Sequence, residues 1–121
     1  MKKILLAVLV FVGCSSPFEV ENATRLEAPD VYASWYEEVQ ACTGVQGRSL
    51  DSIELWVVPG GNFEVPGVGK AAGAWSPPRL FVAEWHVLTE YVVKHEFIHV
   101  LGFTHPNPRP PYPPPFDTCS E

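Results

Sequence analysis

Residues 94–105, KHEFIHVLGFTH, place three of the chain's four histidines beside a glutamate. Imidazole nitrogens bind metal ions or exchange protons near neutral pH, and a carboxylate can take a proton from a nucleophile. Spacing decides whether these groups can act together. On a helix, His95 and His99 lie one turn apart and point the same way, so both can reach one ion. Glu96 is rotated to the flank of that face, where its carboxylate reaches a molecule bound to the ion rather than the ion itself. Gly102 permits a left-handed backbone that ends the helix and turns the chain sharply. His105 can then return as a third ligand.

The stretch HEFIHVLGFTH matches H-E-x-x-H-x-x-G-x-x-H, and at every defining position it resembles the signature of the metzincin clan of zinc metalloproteases. The resemblance implies zinc as cofactor, with ligands His95, His99 and His105, a general base at Glu96 and a turn at Gly102. It further implies a zinc metalloendopeptidase that hydrolyses peptide or protein substrates through a zinc-bound water activated by Glu96. The fold implied is α+β, a small zincin-like domain in which a twisted, mostly antiparallel or mixed sheet and a backing helix stand over an active-site helix. In the family an extended substrate pairs with the strand above the cleft, and here residues 80–83 are the expected counterpart. Tyr112 is a candidate to assist the oxyanion.

Two features depart from that family. Its methionine-containing turn beneath the zinc has no counterpart, because the only methionine is Met1. Its C-terminal subdomain gives way to a tail with seven prolines between Pro106 and Pro115. Asp117 and Glu121 lie where other zinc-peptidase clans place a carboxylate ligand, but those clans mount it on a helix or a defined motif. The rival reading is a non-catalytic zinc-binding envelope lipoprotein. Glu96 argues against it, since binding alone needs no base beside the ligands.

The elements that must position these residues follow from pattern and punctuation. From Pro29, PDVYASWYEEVQACTG reads as a helix with Val31, Trp35, Val39 and Cys42 near one stripe and Gly44 as its stop. SIELWVVP and RLFVAEW read as strands, and the glycine-rich PGVGKAAGAW between them as a loop leading into a short strand. Its GVGK lacks the spacing of a phosphate loop. The four tryptophans, Trp35, Trp56, Trp75 and Trp85, are expected in the core. Residues 87–101 form the best helix, with Leu88, Tyr91, Val92, His95, His99 and Phe103 near one side and Glu90 four residues before Lys94. His86, just ahead of it, either caps that helix or faces solvent. The prolines forbid regular structure in residues 106–121, leaving an extended tail pinned at Phe116 and Cys119.

The start of the chain reads as an export signal over residues 1–13, with Lys2 and Lys3 ahead of the apolar run ILLAVLVFV, too short to span a bilayer. FVGC resembles the lipobox of bacterial lipoproteins, which implies lipidation at Cys14 and an exported protein, lipid-anchored in the cell envelope, at an outer membrane where the cell has one. An ordinary secretory signal cut nearby is the alternative. If Cys14 carries lipid, Cys42 and Cys119 remain to form a disulfide, which in the entropic model restricts the unfolded chain by about 4 kcal/mol. The expected organisation is therefore a signal (1–13), a lipidated tether (14–28) whose FEVENATRL could add an edge strand, and one metallopeptidase domain with its tail (29–121). A formal charge of −6 over 121 residues, with no basic patch, argues against a nucleic-acid partner. Contact with the membrane would come from the lipid, and a monomer is expected.

Overall fold

The computed structural model describes residues 19–121. The expected signal segment and Cys14 lie outside them. The described chain is a small α+β domain with a mixed sheet and helices. Its elements are β1 (Thr24–Arg25), α1 (Val31–Thr43), β2 (Glu54–Val58), β3 (Phe63–Val65), β4 (Gly69–Ala71), β5 (Gly73–Ser76), β6 (Arg79–Ala83), α2 (Glu90–Val100) and α3 (Phe116–Cys119). Short 3-10 turns precede β2 and follow β6. Because β1 pairs with β2, the folded unit takes in part of the segment expected as a tether.

The four-stranded sheet runs β1-β2-β6-β5, while β3 and β4 form a separate hairpin. Strand β6 is parallel to β2, from Glu54 opposite Arg79 to Val58 opposite Ala83, and antiparallel to β5. Its LFVA run is buried throughout, as expected for a strand covered on both faces. Alternation sends Leu80 and Val82 toward the helices, and Phe81 and Ala83 toward Phe63 and Val65 of the hairpin. The topology corrects one expectation. Residues 80–83 are interior to the sheet, so the edge free to receive another strand belongs to β5.

Helix α1 begins after Pro29 and ends where Gly44, at φ 77°, donates its N–H to the Gln40 carbonyl. The buried stripe is Tyr32, Trp35, Tyr36 and Val39. It is rotated from the expected one, placing two tyrosines in the core in preference to Val31 and Cys42. Their rings can be buried because each hydroxyl finds a carbonyl, Tyr32 that of Val87 at 2.7 Å and Tyr36 that of Arg48 at 2.8 Å. The same rings pack on Phe97 of α2. Trp85, by contrast, is 75% exposed, and Leu88 and Tyr91 also face solvent, because the 3-10 turn at residues 84–86 carries this stretch away from the sheet.

Cys42, at the end of α1, is bonded to Cys119 of α3 across 77 residues, with Cα atoms 5.8 Å apart. The bond fastens the tail to the body. Replacing both cysteines by serine should cost about 2–4 kcal/mol in denaturant unfolding, and amide exchange should accelerate first in residues 106–121. Unchanged tail protection would show that packing alone retains it.

Candidate metal centre

Helix α2 starts after Thr89, which has extended backbone geometry, and carries Glu90 in its first turn. Lys94 is only 3% exposed yet fully partnered, by Glu90 and Glu38 at 2.7 Å each and by the backbone oxygen of Glu121 at 2.9 Å. That cluster joins α1, α2 and the tail one residue before His95. At the other end, Gly102 has φ 105° and donates to His99 O, while Phe103 donates to Ile98 O. A side chain at this φ is strained, so glycine allows the turn that brings residues 103–105 back.

The turn delivers His105 to the other two histidines. One nitrogen from each of His95, His99 and His105 lies within 4.8 Å of the others, with the Nε2 atoms of His95 and His105 3.1 Å apart. A carbonyl only accepts, so His99 Nδ1–H must donate to Phe103 O at 2.9 Å, and His105 Nδ1–H to Asn107 O at 2.7 Å. Both tautomers are thereby set, leaving Nε2 with its lone pair. Burial, then the nearby His99 and His105, pulls the His95 pKa down to about 3, and burial lowers that of His99. Three neutral imidazoles with two backbone-fixed tautomers form a donor set that could hold a metal ion. Asp117 and Glu121 do not join this cluster.

Glu96 follows His95 into the interior and is 6% exposed. Among the described residues no hydrogen bond or ion pair holds its carboxylate, and burial pushes its pKa up to about 8. Its neighbour is the backbone of β5: a Cβ built on Gly73 would stand 2.7 Å from Glu96 Cγ and 2.9 Å from Oε2. Only glycine lets the sheet edge lie this close to the carboxylate. Gly73 went unnoticed in sequence, where it is one of several glycines in a run with no periodicity.

Beneath the histidines lies Phe116 of α3, 1% exposed, with ring centroids 4.8, 4.8 and 4.6 Å from His95, His99 and His105. The sequence marks it as a pin for the tail but not as a floor to three ligands. Tyr112 stacks its ring near His95 and His105, at 4.7 and 4.5 Å, while its hydroxyl donates to Pro108 O. Burial, then the charge of Glu96, raises its pKa. The histidines and Glu96 open onto a cleft of about 910 Å³ between β5 with the hairpin on one side and the proline tail on the other. His86 reaches this cleft with Nδ1 3.2 Å from the hydroxyl of Thr89, which stands at the N-cap position of α2 without a side-chain capping bond. No family model, curated protein or solved structure matches this chain.

Proposed function

We propose that this protein is a zinc-dependent metallopeptidase of metzincin-like, zincin-type architecture, exported and anchored to a bacterial envelope by lipid on Cys14. The reading rests above all on one observation: a buried carboxylate without a partner among the described residues, beside three convergent imidazoles at the floor of a cleft with an open strand edge. His95, His99 and His105 would hold the ion, which when bound supplies a Lewis acid and brings the pKa of a water toward about 7. An extended peptide would pair with the outer edge of β5, which lies directly above Glu96. Burial alone would keep Glu96 protonated near neutral pH, but a bound cation would favour its ionised form, which would take the proton of the attacking water and return it to the leaving amine. Tyr112 would have to release Pro108 O before its hydroxyl could meet an oxyanion.

Purified mature protein should contain one zinc by elemental analysis, cleave a quenched-peptide library, lose both on chelation and regain both with zinc. A protein that holds zinc yet cleaves nothing would be a binding protein without hydrolysis. A Cys14→Ser variant that remains in the membrane fraction would remove the lipid anchor from the proposal.

Gly73→Ala tests the contact between strand and base. The added methyl must displace the carboxylate, so kcat should fall by about ten- to a hundredfold with zinc content unchanged. Unaltered turnover would show that Glu96 does not act from its observed position.

A further inference from the structure

We infer, on the reading of the cleft as a peptide site, that its substrates are acidic, and that Lys70 and Arg109 select them. Each other basic side chain among the described residues has a partner. Arg25 and Arg48 lie over Trp56 and Trp75, Arg79 pairs with Glu19 and Glu54, and Lys94 with Glu38 and Glu90. Among the described residues Lys70 and Arg109 make no ion pair, hydrogen bond or ring contact, Arg109 acting only through its field on Tyr112, and both line the cleft. One comes from strand β4 of the hairpin and the other from the proline tail, so the two cations reach it from separate elements.

The acidic side chains are distributed in the opposite way. The protein has 14 Asp and Glu residues against 8 Lys and Arg, yet Glu96 is the one carboxylate among the cleft residues, buried at its floor beside the histidines. An acidic molecule thus presents a locally cationic mouth. Charge of one sign in a cleft with low-dielectric walls concentrates oppositely charged partners and repels like ones. Carboxylate side chains flanking the bound stretch of an extended peptide would meet Lys70 and Arg109, while the exposed acid opposite Lys70 on the hairpin, Glu64, is not among the residues that line the cleft. An uncharged peptide would gain nothing from either side chain.

The test uses two fluorescent peptides with one neutral core, flanked by glutamates or by lysines, and reads anisotropy with metal-free wild-type protein and with Glu96→Gln. Binding is thereby measured apart from hydrolysis. The glutamate peptide should bind more tightly, and salt should erode its advantage. Changing Lys70 and Arg109 to serine should each weaken it by up to about fivefold, as for exposed ion pairs, and Lys70→Glu with Arg109→Glu should reverse the preference. Both positions are exposed, so the variants should keep the wild-type circular dichroism. Equal binding of the two peptides, a preference that survives charge reversal, or no binding by either overturns the inference. Cleavage of neutral and acidic peptides at equal rates would also overturn it while leaving the peptidase reading intact. Selective binding without cleavage would sustain it and remove the peptidase.

Discussion

Replacing Glu96 with glutamine should leave zinc bound in full while peptide cleavage falls by about two to four orders of magnitude, the range associated with losing a positioned general base. The amide matches the carboxylate in size, so its contact with Gly73 persists, and the three imidazoles are untouched. His105→Ala should behave differently, losing metal together with activity, because it removes one of the three donors. Elemental analysis beside a peptide assay separates the cases. Full zinc in His105→Ala with loss in Asp117→Ala would put the third ligand in the tail and refute the metzincin reading.

The glutamine variant also carries a pH signature in metal-free protein. Burial raises the Glu96 pKa to about 8 from the ordinary 4.5. Between those values the folded state keeps a proton that the unfolded state releases, so this group makes stability fall as pH rises through the window and level off above it. Glutamine removes that slope. Relative to wild type, the variant should therefore gain stability from about pH 5 to about pH 8, by on the order of a few kcal/mol. Parallel unfolding free energies across that range would mean the carboxyl titrates normally.

Truncating Phe116 should do the largest structural damage. Its ring is buried against all three candidate ligands, and Phe→Ala changes in cores cost about 3–5 kcal/mol through lost burial and the void left behind. Here the void opens under the histidines, so zinc affinity should fall along with stability, even though Cys42–Cys119 still holds the tail. Phe116→Leu fills most of the space and should recover much of both. Competition with a zinc indicator and urea unfolding give the two readouts. Full zinc affinity in Phe116→Ala would make the ring core packing only.

The contrast between these residues shows what sequence can carry. His95, Glu96 and His99 are readable because helix geometry fixes relative directions over four residues, and Gly102 announces the turn that brings His105 back. With Cys14 assigned to lipid, the two other cysteines leave one pairing, and the structure contains it. Gly73 and Phe116 depend on contacts across 23 and up to 21 residues with no local pattern to mark them. Strand order has the same character: nothing within RLFVA says it will be flanked on both sides, whereas GAWS will be left at the rim. In α1 the ambiguity was rotational. Val31, Trp35 and Val39 fit a stripe, but so do Tyr32, Trp35, Tyr36 and Val39, and the second wins because the core offers carbonyls to both phenols.

The open edge of β5 bears on self-association. An exposed strand edge invites the same edge of another molecule, the first step toward aggregates and fibrils. Here the edge is four residues long and opens into a cleft whose other side includes Pro106, Pro108 and Pro110. Prolines have no N–H to donate, so a chain lying against β5 finds no second ladder on that side. A visitor can add one strand, and the sheet can grow no further into the tail. The proline tail thus leaves the β5 edge uncovered while limiting how far it could serve as a template for polymerisation.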